Sequence, residues 1–198
     1  MISFKEFITE MPYSHNNMDR YAASWDITQK PYEIDDKKRS KTLGRKISEM
    51  KSGHHMYCKH QKSGDYSGTL YTAYNPQTKM VDIKVTGYNN PLIKDRYHVK
   101  YLSGRPYIQN LKAHEFYHHL IMRHKKTIVS DSSQSEGGRK VWERLATMPS
   151  TAIHRISDDN EKQTDRNITK PHELSDFYTP HINDSNAIVK FVASKRKK

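Results

Sequence analysis

Hydrophobic and polar residues follow two different periods along this chain, and the first part has the short period of β-strands. Residues 53–61 and 68–74 are aromatic-rich runs separated by the turn residues Ser63-Gly64-Asp65. Residues 97–102 form a further run of this kind, with Val99 and Tyr101 on one predicted face. The pattern predicts three or four antiparallel strands before the first helix.

The clearest alternation lies between these runs. Val81, Ile83 and Val85 are separated by the polar residues Asp82 and Lys84. Because successive side chains of a strand point to opposite faces, this spacing predicts a half-buried strand with its three aliphatic residues on the core face.

The period then changes to that of a helix. An apolar stripe at helical spacing consists of Ala113, Phe116, Tyr117, Leu120 and Ile121. The β-branched run Thr127-Ile128-Val129 is too short for a helix and predicts a buried strand.

A second helix and two late strands are predicted after this strand. Ser133 or Ser135 can cap the helix, whose apolar face consists of Val141, Trp142, Leu145 and Met148. Pro149 closes it. Residues 151–156 and 186–194 have strand character, and the polar residues 157–171 predict a loop.

This order of elements predicts an α+β fold with a mostly antiparallel, twisted sheet flanked by helices. It also divides the chain into four segments. They are a decapeptide at 1–10, a polar arm at 11–45, the folded domain at 46–194 and a basic tail at 195–198.

Composition narrows the possible partners. The chain has 34 Lys and Arg against 22 Asp and Glu, a formal charge of +12 that favours polyanions such as DNA. One cysteine, Cys58, excludes an internal disulfide and a multi-cysteine zinc site. No run approaches the ~18 apolar residues of a membrane span, and the first ten residues lack a secretory apolar centre. We therefore expect a soluble protein that is not secreted and has no membrane partner.

The first ten residues, MISFKEFITE, form a small amphipathic helix candidate. They resemble the capsid-targeting peptides at the start of internal head proteins of large tailed bacteriophages. Those peptides end in a hydrophobic residue, any residue and Glu, which here is Ile8-Thr9-Glu10. The resemblance implies a virion protein that is packaged in the phage head, cut after Glu10 and delivered to the host cytoplasm.

Residues 111–145 carry a second resemblance. A Tyr-containing helix leads to a strand ending in Ser-Asp, then to a loop with paired glycines and a helix with a central Trp. The residues concerned are Tyr117, Ser130, Asp131, Ser135, Gly137, Gly138 and Trp142. Over about thirty-five residues this segment resembles a divergent phage-encoded branch of the Gcn5-related N-acetyltransferases (GNAT).

The resemblance implies a GNAT-like fold that binds acetyl-CoA where two adjacent strands splay apart. The pyrophosphate would contact backbone N–H groups at the start of the first helix, from Gln109, Asn110, Leu111 and Lys112. The implied activity is transfer of an acetyl group to an amine, on a host protein target that the sequence does not identify.

Catalytic residues stay unassigned. Proton transfer requires a base and an acid, and Tyr101, Tyr107 and Glu115 are candidates of suitable chemistry. No glycine lies between Gly104 and the helix. A basic, DNA-associated internal phage protein with a degenerate GNAT fold and no activity is therefore the alternative.

A zinc metalloprotease is a second alternative. His114, Glu115 and His118 fit the pattern HExxH, in which two histidines one helical turn apart bind zinc. Glu136 or Glu143 could supply a third ligand. The two histidines flank the apolar stripe, however, and have charged neighbours, which favours ordinary solvated histidines. No metal is expected.

Two further groups of residues have alternative interpretations. His54, His55, Cys58 and His60 suggest a metal cluster, but strand periodicity divides their side chains between two faces. A set of tyrosines near lysines is typical either of a nucleic-acid stacking surface or of a half-exposed sheet: Tyr57, Tyr66, Tyr71 and Tyr74.

Overall fold

A computed structural model describes residues 34, 38–63, 66–89, 96–104, 111–130, 136–156, 166–168, 173–174 and 190–196. In chain order its elements are α1 (Arg39–Leu43), β1 (Arg45–Glu49), β2 (His55–Ser63), β3 (Tyr66–Asn75), β4 (Met80–Asn89), β5 (Arg96–Gly104), α2 (Ala113–His124), β6 (Thr127–Val129), α3 (Glu136–Ala146), β7 (Thr151–Ile156), β8 (Arg166–Ile168) and β9 (Lys190–Lys195). Several predicted functional residues lie outside the described residues: Glu10, Tyr107, Gln109, Asn110, Asp131 and Ser135.

The described strands form one nine-stranded sheet in the order β1-β2-β3-β4-β5-β6-β9-β7-β8. All neighbours are antiparallel except β5 and β6, which are parallel because α2 forms the crossover between them. The predicted α+β class with a mostly antiparallel sheet is confirmed. Among the described helices, none is long and apolar enough to cross a membrane.

Local periodicity predicted the central helix and two strands well. The α2 stripe is buried at Phe116, Tyr117, Leu120 and Ile121, each no more than 3% exposed, and these residues join the main core under the sheet. β6 and β7 have the bounds that the sequence predicts. Burial of this stripe and of the strand residues facing it supplies the main hydrophobic stabilisation of the fold.

A β-bulge at Asp82 overturns the predicted face of β4. Ala73 pairs with Ile83 and Tyr74 pairs with Val81, so Asp82 is an extra residue between two pairs. Ile83 therefore faces the main core, whereas Val81 packs against a second cluster on the opposite face. Strict alternation could not indicate this, because a bulge changes the face of every residue beyond it.

A second bulge corrects the predicted face of β5. Thr86 pairs with Tyr101 and Gly87 with Val99, which leaves Lys100 as the extra residue. Leu102 consequently packs on the main core together with Val99. Val99 and Tyr101 do not share a face as the sequence predicted.

Two short strands were missed by the sequence prediction. β1 precedes the predicted strands, so five strands come before α2 instead of three or four. β8 lies inside the predicted loop 157–171 and pairs antiparallel with β7. Neither has a clear hydrophobic alternation: β1 reads Arg-Lys-Ile-Ser-Glu and β8 reads Arg-Asn-Ile.

Gly87 leaves space for the side chain of Tyr97, which connects β5 to β3 and β4 by hydrogen bonds. The buried Tyr97 of β5 donates its hydroxyl to the carbonyl oxygen of Thr69 in β3 at 2.7 Å and approaches that of Val85 in β4 at 3.2 Å. A Cβ atom at Gly87 would lie 2.8 Å from Cζ of Tyr97 and 2.0 Å from the carbonyl oxygen of His98. Glycine at this position is therefore a requirement of close packing.

α2 contacts both the edge strand β1 and the turn before β7. Ser48 Oγ of β1 lies 2.9 Å from Nε2 of His119, and Nε2 of His118 lies 3.0 Å from the carbonyl oxygen of Pro149, just before β7. Strands that are far apart in the sheet order thus contact one helix. These contacts place a groove along the outer side of α2.

Candidate functional site

The groove lies between α2, the β1–β2 turn and the turn before β7, and it has a volume of about 590 Å³. Its apolar lining includes Met50, Leu111 and Met122, and its polar lining includes Ser52, Glu115 and His118. Concave sites with an apolar floor and a few convergent polar groups are the usual place for small ligands. We call this site the α2 groove.

Glu115 caps the start of α2, beside the groove. The backbone N–H of Lys112 donates to Oε2 of Glu115 at 2.8 Å. The positive end of the helix dipole stabilises the negative charge of the Glu115 carboxylate. The predicted phosphate-binding residues Leu111 and Lys112 therefore flank a helix terminus where a carboxylate of the same helix already occupies one donor. Leu111 itself is buried, at 3% exposure.

The pairing of β5 with β6 is short. β6 pairs with β5 only opposite residues 96–98. β5 continues beside β4 as far as Gly104, which pairs with Ile83. The residue that follows β6, Ser130, is held to β9, because its N–H donates to the carbonyl oxygen of Phe191 at 2.8 Å. The β5–β6 ladder thus ends just before the Lys100 bulge.

Several residues that carry the resemblance to GNAT proteins lie in the described part of the structure, and they pack the helices against the sheet. Tyr117 and Trp142 bring α2 and α3 together with ring centroids 6.4 Å apart, and Trp142 lies 6.0 Å from the ring of Phe191 in β9. Burial raises the pKa of the Tyr117 hydroxyl. Gly137 and Gly138 are half-buried at the start of α3.

Ser130 is bonded to β9 through its side chain as well. Its hydroxyl accepts a hydrogen bond from the N–H of Phe191 at 2.8 Å, and the side chain is only 3% exposed. The hydroxyl therefore continues the backbone ladder beyond the end of β6. The geometry therefore gives Ser130 a role in positioning the strand.

The HExxH residues do not converge on one point. Nε2 of His118 is directed to the carbonyl oxygen of Pro149, so this nitrogen serves as a hydrogen-bond donor. Glu115 caps α2, and Glu143 pairs with Arg139 at 3.1 Å. Among the residues that the structure describes, no group of three or more His, Cys, Asp or Glu is placed to hold a metal ion. The side chain of Glu136 is outside this described part.

The tyrosines proposed as a stacking surface are buried. Tyr57, Tyr71 and Tyr74 are 5%, 4% and 0% exposed, because both faces of the sheet are covered. The side chain of Tyr66 lies outside the described residues. A surface of these three tyrosines for stacking nucleobases is therefore excluded.

The cluster at 54–60 contains one interaction that the sequence did not predict. Nε2 of His54 lies 2.8 Å from Oδ2 of Asp82, and the two side chains are 1% and 2% exposed. Cys58 is half-buried, and burial raises the pKa of its thiol, which disfavours the thiolate that binds metals. His54 and Asp82 are 28 residues apart, and only the register of β2, β3 and β4 brings them together.

Two histidines of α2 converge on one serine of β1. Nε2 of His119 and Nε2 of His124 lie 2.9 and 2.7 Å from Oγ of Ser48. A hydroxyl has one proton to donate and two lone pairs, so at least one of the two imidazoles donates to Oγ when both are neutral. Burial lowers the pKa of His119 to about 4, assisted by the neighbouring His124 and Arg123. Burial also lowers the pKa of His124.

The lowered pKa values of His119 and His124 predict that the free energy of unfolding falls in acid. Their pKa values are lowered in the folded state, so the unfolded chain binds protons first as the pH falls below about 6.5. Their stabilising contribution is present above that pH and is lost toward pH 4. We expect the urea midpoint to fall between pH 7 and pH 4, and to fall less in His119→Asn. Equal pH dependence in the two proteins would contradict this assignment.

No family model, curated protein or solved structure matches this chain.

Proposed function

We propose that this chain is a phage-encoded, GNAT-like protein that binds acetyl-CoA between β5 and β6. The observation that carries the proposal is the short ladder between these two parallel strands. They pair over residues 96–98 only, while β5 continues beside β4 to Gly104. A cofactor with a long, thin arm requires an opening between neighbouring strands, and we infer that it lies beyond this short ladder.

The start of α2 supports the same proposal. α2 follows the C-terminal end of β5, so its N-terminus lies at the end of the strands where the β5–β6 ladder has ended. Helix N-termini attract phosphate through unpaired N–H groups and the helix dipole. Lys112 is exposed there and adds positive charge. Binding of a pyrophosphate would displace the Glu115 carboxylate from the Lys112 N–H.

That displacement gives a sharp test. We expect isothermal titration calorimetry to detect acetyl-CoA binding, and we expect Glu115→Gln to strengthen it about five- to tenfold. The reason is that removal of one like charge a few ångströms from the phosphates relieves roughly 1 kcal/mol of repulsion. Glu143→Gln is the matched control, since Glu143 pairs with Arg139 on α3. We expect its affinity to stay within twofold of the wild type.

The absence of binding in all three proteins would refute acetyl-CoA as ligand. In that case salt-sensitive binding of double-stranded DNA would favour the non-enzymatic alternative, for which the charge of +12 is the supporting observation. If binding is found, acetyl transfer to amine-bearing peptides separates an active enzyme from a degenerate fold.

Packaging in the phage head is the second part of the proposal, and it is supported by the sequence of residues 1–10. We expect virions to contain this chain with Met11 as its new N-terminus, detected by mass spectrometry of the purified particles. Presence of the uncut chain would leave packaging in place but refute processing after Glu10. Absence of the chain from virions would refute packaging.

A further inference from the structure

We propose that Ser52, His54 and Asp82 form a nucleophilic triad that opens into the α2 groove and hydrolyses small carboxylic esters. Ser52 Oγ lies 3.0 Å from Nδ1 of His54, and Nε2 of the same ring lies 2.8 Å from Oδ2 of Asp82. The three side chains thus form one continuous hydrogen-bonded line. This inference does not depend on the binding of acetyl-CoA.

Ser52, His54 and Asp82 are hydrogen-bonded in the order nucleophile, base and carboxylate, which is the order that nucleophilic catalysis requires. A serine hydroxyl reacts when a neighbouring base takes its proton, and the base works best when a third group fixes its tautomer. With Nε2–H donating to the Asp82 carboxylate, Nδ1 of His54 is the free acceptor for the Ser52 proton. The imidazole has two nitrogens, and here the serine uses Nδ1 where the well-known triads use Nε2.

The base His54 and the carboxylate Asp82 that orients it are both buried and held in place. His54 and Asp82 are 1% and 2% exposed, so the pair interacts in a medium of lower polarity than water. Nδ2 of Asn75 lies 3.4 Å from the same Oδ2 of Asp82. The Asn75 side-chain oxygen in turn accepts the N–H of Gln77 at 3.0 Å, which holds the amide in place. The bulge in β4 is the feature that places Asp82 for this contact.

The nucleophile, Ser52, lies in the wall of the α2 groove, where a substrate can reach it. Ser52 lies in the turn between β1 and β2, is half-buried and lines the α2 groove. Met50 and Leu111 give the groove an apolar floor for a short acyl chain. Lys51 lies on the same lining and adds a positive charge to the groove.

The reaction is an ester hydrolysis in two steps. Ser52 Oγ forms a bond with the acyl carbon while its proton passes to Nδ1 of His54, and the carbon–oxygen bond of the ester then breaks as this proton moves to the leaving alkoxide. Water next attacks the acyl-serine, gives one proton to Nδ1, and Ser52 leaves with that proton. The products are one carboxylic acid and one alcohol.

The experiment uses the full chain and a fluorophosphonate probe, which reacts with activated serines. We expect intact-mass spectrometry to show one adduct per chain and peptide mapping to place it on Ser52. Ser52→Ala should abolish the adduct. Ser67→Ala is the matched control, because Ser67 is an exposed serine of β3 that does not line the groove. This control should be labelled at the wild-type rate.

A second variant separates catalysis from a merely structural network. Asp82→Asn keeps the size of the side chain but removes the charge that fixes the base. We expect the labelling rate and the hydrolysis of p-nitrophenyl acetate to fall on the order of 10³- to 10⁴-fold. Because mapping of the wild-type adduct needs no variant, failure of one to fold leaves the test intact. No adduct on Ser52, or equal labelling of Ser52→Ala, would overturn the proposal.

Discussion

Replacement of Asp82 by alanine is expected to lower the free energy of unfolding by about 3 to 5 kcal/mol, since it removes one partner of a buried, hydrogen-bonded pair. His54 would then keep a buried N–H without its acceptor, at 1% exposure. Small domains have only about 5 to 15 kcal/mol of stability, so this loss is a large fraction of the total. Urea denaturation followed by circular dichroism measures it.

The matched control is Glu49→Ala on β1. Glu49 lies 3.6 Å from both Lys46 and His55, but its side chain is 61% exposed. Water screens such contacts, so we expect a change of less than about 1 kcal/mol. The double variant His54→Ala with Asp82→Ala should lose less than the sum of the two single variants, because no buried group is left without its partner. Additive losses would show that the two side chains do not stabilise each other.

Replacement of Gly87 by alanine is expected to cost about 3 kcal/mol, because the new methyl group has no space. Its Cβ would lie 2.0 Å from the His98 carbonyl oxygen, a backbone atom that cannot move without separating β4 from β5. The Tyr97 ring would also have to shift, which weakens its hydrogen bond to Thr69. The urea midpoint relative to wild type reports this loss.

Gly53→Ala serves as the comparison for this substitution. Gly53 has a φ of 80°, and nothing lies within 4 Å of a Cβ built there. We therefore expect only the cost of left-handed backbone, about 1 to 2 kcal/mol. If Gly87→Ala proved as mild as Gly53→Ala or milder, the close approach of β4 and β5 at this position would be refuted.

The sequence predicted best those elements that are determined by local periodicity. α2 shows its stripe in five residues, and β6 is bounded by a change of period on both sides. The bulges at Asp82 and Lys100 escaped prediction, because an extra residue in one strand is defined only by its partner strand. The alternation of residues 81–85 also predicted that the second face of β4 is exposed. Tyr74, at 0% exposure, shows that this face is covered as well.

The candidate sites were predicted less completely than the fold. The start of α2 was expected from the resemblance, yet the capping contact between Glu115 and Lys112 depends on a rotamer that the residue pattern does not specify. The hydrogen-bonded group of Ser52, His54 and Asp82 could not be predicted from the residue pattern. Its three residues lie in a turn, at the start of a strand and at a bulge. Only the register of the sheet brings a residue 28 positions away to His54.

β1 is an edge strand among the strands that the structure describes, and its composition has a consequence for the behaviour of the protein at high concentration. Arg45, Lys46 and Glu49 are exposed along this edge, and its register is interrupted between Lys46 and Ser48. Charged side chains and bulges hinder the addition of a strand from a second molecule, which is the usual route to edge-to-edge aggregation. The weak strand pattern that hid β1 from prediction therefore protects the sheet against fibrous growth.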